Sequence, residues 1–289
     1  MSNLFRMHIY RALKAKSTKV IGILLGVFFA ITLILAYVVF ENPFDIPGDV
    51  LDVLVGVKGK GTVPFRIHSF FTQMNSPFII LMTIFTVLLV TSDFSRGYVK
   101  NIYGMFQDKS KFVFAKWSAM VVSVSTIYVA YSLLSLGVTA ICFKSFEMEC
   151  MDLFFKSFIV EYILLIALLT LVFMITSLFK SASGGMVIGL IMASGMMQSI
   201  EHLLDLIIAK ITGQNLADAA MDTLGGTIGI TEKSGAFRLS NYCIDNVFLT
   251  YHANMDYADT VRSIIVAIAW TAFALAICTL LAKKKDVRC

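Results

Sequence analysis

Four polar or ionisable side chains lie in or beside long apolar stretches of this sequence, where they could contact a substrate. They are Glu161, Gln198, Glu201 and His202. Glu161 lies just inside one apolar stretch, and the other three lie at the end of another. An ionisable group within a membrane span is costly and commonly functional, whereas a group near the interface can simply reach water. The sequence therefore indicates a candidate substrate path and leaves the solvated alternative open.

Residues that usually bind metals or nucleotides do not form a recognised pattern. The four histidines show no H-x-x-H or H-E-x-x-H spacing, so we expect no metal site. The nearest candidate for a phosphate-binding loop, "GVKGKGT" at 56–62, lacks the Lys that must follow its last Gly. The apolar stretches also lack the G-x-S-G serine or the paired aspartates of an intramembrane protease. We therefore expect no enzyme and no cofactor bound by this chain.

Five cysteines leave at least one thiol without a disulfide partner. Cys142 and Cys278 lie in apolar stretches and read as small apolar residues, and Cys289 ends the chain. Cys150 and Cys243 fall in two loops predicted on the same side, so a disulfide between them is one alternative.

The composition is that of a membrane protein. Hydrophobic residues make up 58% of the chain, charged residues 15%, and the mean hydropathy is +0.81, whereas soluble domains are nearer a quarter charged. A helix needs roughly 20 apolar residues to cross a bilayer. We therefore predict an all-α membrane protein with six transmembrane helices, at about 20–40, 70–91, 118–143, 157–179, 185–200 and 261–282.

The basic residues predict the orientation of these spans, because Lys and Arg accumulate in cytoplasmic segments. Residues 1–19, 92–117, 180 and 283–289 together contain fifteen basic and three acidic residues. We therefore expect a multi-pass protein of the cell membrane with both termini in the cytoplasm. The basic residues sit beside apolar runs and form no separate basic domain, so we expect no nucleic-acid partner.

Three segments flank or interrupt the transmembrane domain, 20–282. Residues 1–19 predict an amphipathic interfacial helix on membrane lipid, with one apolar stripe formed by Leu4, Phe5, Ile9, Ala12 and Leu13. A signal peptide is the less favoured alternative, since the following apolar run is too long. Residues 201–260 predict an outer lobe between spans five and six, which could gate an exit path, capture a cationic substrate or be a solvated connection. Residues 283–289 form a cytoplasmic tail.

The segment between the second and third predicted spans combines charges with an aromatic stripe. Its apolar residues recur every four positions, at Phe94, Tyr98, Ile102 and Phe106. This spacing predicts a short cytoplasmic helix, capped by Ser92 or Asp93, with Arg96 and Lys100 on another face. An amphipathic loop resting on lipid headgroups would have the same spacing.

The same segment resembles a known family. "SDFSRGYVKNIYG" followed by "KFVFAKW" is similar to the cytoplasmic segment of six-span exporter permeases of the ATP-binding-cassette superfamily, the group that includes bacitracin-resistance and lantibiotic-immunity permeases. The matching positions are Asp93, Phe94, Gly97, Lys100, Lys116 and Trp117. Many members of the family carry Glu where this chain has Asp93.

The resemblance implies a coupling helix that inserts into a cleft of a separate cytoplasmic ATPase subunit, which would hold ATP and Mg²⁺. The residues expected at that contact are Asp93, Phe94, Arg96, Gly97, Tyr98, Lys100 and Ile102. The resemblance also implies a dimer with a second copy or a related permease, and export of an antimicrobial peptide or lipid-like substrate. A non-transporting membrane scaffold or a channel subunit is the alternative.

Overall fold

The computed structural model is almost entirely α-helical over the residues that it describes. These residues are 2–41, 65–95, 109–142, 146–147, 151–179, 181–212, 238–251 and 257–284. The helices are α1 (Ser2–Lys14), α2 (Lys16–Glu41), α3 (Ile67–Ser95), α4 (Lys109–Cys142), α5 (Met151–Phe179), α6 (Ala182–Ala193), α7 (Met196–Ile211), α8 (Ile244–Thr250) and α9 (Tyr257–Lys284). A 3-10 helix, Ser240–Tyr242, precedes α8. Two-residue strands β1 (Phe65–Arg66) and β2 (Phe146–Glu147) pair in parallel, with Phe65 opposite Phe146. The all-helical prediction is confirmed apart from this short pair.

Four of the described helices are long and apolar enough to cross a membrane. Their spanning segments are Lys16–Ile34 in α2, Ser110–Val138 in α4, Phe155–Phe179 in α5 and Tyr257–Lys283 in α9. The bent pair α6 and α7 would make a fifth, and the apolar part described for α3 is shorter, at Pro77–Ser92. These helices indicate a membrane-embedded protein, while the count of six crossings stays a prediction.

Helix α5 lies at the centre of the bundle, with α3, α6 and α9 packed against it. Two thirds of its apolar segment is buried inside the protein, and Leu164, Leu168 and Leu169 are fully enclosed. Helix α2 is the opposite case, because only 11% of its apolar segment is buried. Large side chains such as Ile23 and Ile34 project from it without protein cover. A surface this apolar is suited to lipid or to another membrane helix.

The predicted fifth span, 185–200, is not one straight helix. The chain breaks at Ser194 and Gly195, where Gly195 adopts the left-handed backbone conformation with φ of 78°, and α6 and α7 diverge by 66°. Twelve residues of α6 extend about 18 Å, less than the roughly 30 Å of a bilayer core. Helix α7 therefore begins at Met196, inside the predicted span.

The second predicted span continues further than expected. Helix α3 ends only at Ser95, so Ser92 and Asp93 lie inside it and the predicted cap at these residues is wrong. The Ser92 hydroxyl instead donates a hydrogen bond to the Leu89 carbonyl of its own helix, at 2.9 Å. Of the predicted coupling residues, Asp93 and Phe94 belong to the last turn of α3. Arg96, Gly97, Tyr98, Lys100 and Ile102 lie outside the described residues, as does Phe106.

Two glycines let α6 approach its neighbours closely. A Cβ atom at Gly185 would lie 2.6 Å from Thr176 Oγ1 on α5, and one at Gly189 would lie 2.8 Å from Thr83 Cγ2 on α3. The four-residue spacing places both on one face of α6, in the small-x-x-x-small pattern that allows membrane helices to pack closely. Gly185 therefore has a clear packing role.

The tight contact at Gly185 predicts a substantial loss of stability in Gly185→Ala. The new methyl would overlap Thr176, and overpacking of this kind costs about 1–3 kcal/mol. The matched control is Gly137→Ala in α4, where an added Cβ meets nothing within 4 Å. Thermal unfolding in detergent should give a lower Tm for Gly185→Ala than for Gly137→Ala. Equal Tm values would contradict this prediction, because they would show that α6 shifts away from α5 without loss of stability.

Candidate functional site

Lys116 and Trp117, the "KW" residues at the start of α4, connect three helices at one end of the bundle. The Lys116 side chain is only 4% exposed, and its Nζ donates a hydrogen bond to the Val90 carbonyl of α3 at 2.8 Å. The Trp117 indole Nε1 donates to Thr170 Oγ1 of α5 at 3.0 Å. We call these four residues the Lys116 platform. It joins the end of α3, the start of α4 and the middle of α5.

Helix α1 packs against the platform from the side. The buried His8 ring meets the Phe112 ring edge-on, with centroids 5.2 Å apart. Lys116 Nζ lies 5.8 Å from the centroid of the same Phe112 ring, within the range of a cation–π contact. The buried face of α1 therefore centres on His8 and Ala12. The predicted apolar stripe is offset from it, since Leu13 is 60% exposed.

The platform lies near the two helix ends that residues 96–108 connect. Residues 96–108 connect the end of α3 to the start of α4, and the platform fixes both helices to each other close to those ends. A force on this connection would pass into α3 and α4, and through Trp117 into the central helix α5. Packed elements of this kind transmit displacement, because protein interiors are dense and weakly compressible.

A second group of polar residues lies where α7 meets α8, and we call it the acidic cluster. It consists of Glu201 and Asp205 on α7, Asp245 on α8 and Cys243 just before α8. The Glu201 carboxyl lies next to both the Asp245 carboxyl and the Cys243 thiol. Glu201 and Asp245 are 5% and 3% exposed. Burial, followed by the neighbouring Asp245, therefore disfavours the charged form of Glu201.

Asp205 anchors the segment that leads into α8. Its Oδ1 accepts a hydrogen bond from the Leu239 backbone N–H at 2.6 Å, and its Oδ2 accepts one from the Ser240 N–H at 3.3 Å. The Asn246 side-chain amide donates to the Ser240 carbonyl at 3.0 Å, and the Trp270 indole of α9 donates to the Tyr242 carbonyl at 2.7 Å. The carboxylate thus satisfies backbone donors that would otherwise be left at the start of the 3-10 helix.

The outward face of α7 is apolar while its polar face is buried. Leu203, Leu204, Ile207 and Ile211 are exposed, whereas Glu201 and Asp205 are buried beneath α8 and the 3-10 helix. Exposure of this apolar face to water would cost free energy, whereas its contact with lipid is favourable. Helix α7 therefore presents an apolar stripe to its surroundings.

The four predicted substrate-path residues occupy two neighbourhoods around α8. Glu201 contacts Asp245 at the start of α8, and Glu161 of α5 acts electrostatically on Tyr251, just after its end. Burial, followed by the Glu161 carboxylate, raises the pKa of the Tyr251 phenol to about 12. Gln198 lies at the α6–α7 bend, where its Oε1 would be 3.3 Å from a Cβ atom added to Gly195. The His202 side chain is half-buried. The two acids are therefore brought to opposite ends of one short helix.

Sequence reasoning missed Asp245 and Tyr251 as members of these neighbourhoods. Both residues lie in a mostly polar part of the sequence, and Asp245 lies 44 positions after Glu201. The available signal was the short run "IDNVFL" at 244–249, in which Ile244, Val247 and Phe248 recur at helical spacing.

Cys243 is a free thiol in this structure, and Cys150 lies outside the described residues. The Cys243 side chain is half-buried beside Glu201, and the disulfide with Cys150 stays an alternative. Burial is the main cause that raises the pKa of the Cys243 thiol, to about 12, and the Glu201 carboxylate is the next. A thiol held neutral in this way is a poor nucleophile.

We therefore expect Cys243 to react slowly with maleimide in the folded protein near neutral pH. Its thiolate fraction should rise only as the pH approaches the raised pKa, whereas an ordinary thiol is substantially ionised above about pH 8.5. Alkylation of the intact chain in detergent, followed by peptide mass spectrometry, compares the rate with that in denaturant. A linked Cys150–Cys243 peptide without reductant, or equal rates in both conditions, would contradict the expectation.

No group of three or more His, Cys, Asp or Glu side chains in the described part of the chain is placed to hold a metal ion. No protein-family model matches the chain, and no curated protein matches it either. The resemblance to exporter permeases therefore rests on the motif residues of the sequence.

Proposed function

We propose that this chain is the transmembrane permease subunit of an ATP-binding-cassette exporter and works with a separate cytoplasmic ATPase. The observation that supports this most is the Lys116 platform. Two residues that match the family motif, Lys116 and Trp117, tie together the helices that flank 96–108. The ATPase lies outside the bilayer, on its cytoplasmic side. Its closure must move whole helices of the permease, and this requires a rigid connection between them.

The coupling element in this proposal is the segment 93–106. Phe94, Tyr98 and Ile102 form its anchoring stripe, while Arg96 and Lys100 contact the rim of the ATPase cleft. Closure of the ATPase dimer on ATP pushes this segment, and the platform passes the movement to α5. Two permease chains, identical or related, then open a path between them.

The cargo in this proposal is an amphipathic molecule, an antimicrobial peptide or a lipid-like compound. The buried acids around α8 suit a cationic peptide, since a positive charge brought close to them favours their ionised form. Glu161 and Glu201, at its two ends, are the candidate contacts on that path. Helix α7 exposes an apolar face next to these acids, and the apolar part of such cargo would bind there.

Lys116→Met tests the role of the platform separately from the contact with the ATPase. The substitution keeps roughly the length of the side chain and removes its N–H donors. Loss of the hydrogen bond to Val90 is worth about 1 kcal/mol, or roughly a fivefold effect. ATPase binding should be unchanged, whereas ATP-dependent transport should fall about fivefold. Lys111→Met, an exposed position on the same helix, is the control and should leave both unchanged. Equal behaviour of the two variants would contradict the role of the platform.

Purification of the tagged chain from its native membranes tests the proposal as a whole. Mass spectrometry should identify a co-purifying subunit with a G-x-x-x-x-G-K-[ST] loop in a fixed ratio to the chain. Its ATP hydrolysis should respond to amphipathic peptides added to the complex. A scaffold or channel subunit would co-purify without such an ATPase, and that result would overturn the proposal.

A further inference from the structure

A cavity of about 490 Å³ opens between three helices at the end of the bundle that contains the Lys116 platform. Its walls are the second half of α1, the first residues of α2 and the last turns of α3. The chain turns sharply at Ala15, where α1 ends and α2 begins, and this turn forms one side of the opening. The acidic cluster shares no residue with these walls, so the cavity is a separate feature.

The two sides of the cavity differ in chemistry. Arg11, Lys14 and Lys16 line the side formed by α1 and α2, and no acidic residue is among the described lining residues. Lys14 Nζ lies 4.7 Å from the centroid of the Tyr10 ring, which holds this cation near the opening. Three cations around one concave surface favour an anion with several oxygen acceptors, such as a phosphate group.

The α3 side of the same cavity is apolar. It is formed mainly by Phe85, Leu88 and Leu89, which belong to the apolar segment Pro77–Ser92. A free phosphate ion would make no use of this wall. A molecule that carries a phosphate at one end and a hydrocarbon chain at the other would contact both sides.

We propose that this cavity binds an anionic phospholipid, with the phosphate among Arg11, Lys14 and Lys16 and the first part of an acyl chain against the α3 wall. Anionic lipids are concentrated in the cytoplasmic leaflet, and each Lys or Arg near such a surface adds favourable attraction. The charge bias of the sequence assigns this end of the bundle to the same leaflet. The lipid would stabilise the α1–α2 turn against α3 whether or not the chain couples to an ATPase, so the inference is independent of the proposed function.

Native mass spectrometry of the intact chain tests this proposal. The delipidated protein, in neutral detergent, is supplied with phosphatidylglycerol or phosphatidylcholine of the same acyl chains. The wild type should retain phosphatidylglycerol preferentially. Lys14→Gln/Lys16→Gln should weaken that retention by roughly fivefold for each lysine removed. Both side chains are exposed, so the double variant should fold normally.

The matched control is Arg6→Gln/Lys19→Gln, which removes the same charge from exposed positions on α1 and α2 outside the cavity. This control should retain phosphatidylglycerol as the wild type does. Equal losses in the two double variants would show attraction by general surface charge and overturn the cavity as the site. Equal retention of both lipids by the wild type would overturn it as well.

Inorganic phosphate separates the lipid from a free anion. Millimolar phosphate should leave retention of phosphatidylglycerol by the wild type nearly unchanged, because the acyl chain adds contact with Phe85 and Leu89. Complete displacement of the lipid by phosphate would show that the site recognises the anion alone, and the lipid assignment would be wrong.

Discussion

Phe94→Ala and Tyr98→Ala are each expected to weaken binding of the ATPase subunit by about 30-fold or more, because loss of an aromatic interface anchor costs 2 kcal/mol or more. Lys100→Ala should weaken it by about fivefold at most, since exposed ion pairs contribute about 0–1 kcal/mol. The measurement is a titration of purified ATPase onto each permease variant in one detergent.

The alternative for this segment is an amphipathic loop on lipid headgroups, and it predicts a different result. The aromatic variants would then change the attachment of the loop to membrane but leave the affinity for the ATPase intact. A larger effect from Lys100→Ala than from Tyr98→Ala would also contradict the anchoring stripe. It would indicate that charge, and not the buried aromatic surface, governs the contact.

Asp205→Ala is expected to release the segment that leads into α8. The carboxylate accepts hydrogen bonds from the Leu239 and Ser240 backbone N–H groups, and bonds to a charged group are worth about 1.5–3 kcal/mol. Hydrogen–deuterium exchange at 239–251 should therefore speed up by a factor of about ten or more in the variant. The protection of α5 should be unchanged.

Glu201→Gln is the matched control in the same cluster. A glutamine amide is uncharged and can donate a hydrogen bond to Asp245, and the change removes one of three crowded carboxyl groups. Exchange at 239–251 should stay within about threefold of the wild type, or slow down. Fast exchange in Glu201→Gln together with slow exchange in Asp205→Ala would reverse the roles assigned to the two acids.

The long apolar helices could be predicted from sequence because their signal is local. Helices α2, α4, α5 and α9 each contain an uncharged run of about the length that a bilayer requires. The break in the fifth predicted span could not be predicted in this way. Hydropathy is continuous through Ser194 and Gly195, and the bend depends on the positive φ of one glycine.

The candidate sites depend on contacts between distant parts of the chain. Lys116 was identified from the sequence as a motif residue, but its burial could not be predicted, because it follows from the approach of α3, which brings the Val90 carbonyl to it. The acidic cluster required α8 to fold back onto α7 from about forty residues away. Helix α1 was predicted as a helix, and its apolar stripe included the buried Ala12. The burial of His8 could not be predicted from apolar periodicity, because it follows from contact with Phe112 of α4.

The most direct test of the central claim is ATP-dependent transport of a fluorescent amphipathic peptide by vesicles that contain this chain and its ATPase. The wild type and the Phe94→Ala/Tyr98→Ala variant are compared in the same membranes at equal permease content. We predict ATP-dependent peptide movement with the wild type and its loss in the variant. Equal transport by both would show that 93–106 is not the coupling element and would contradict the account.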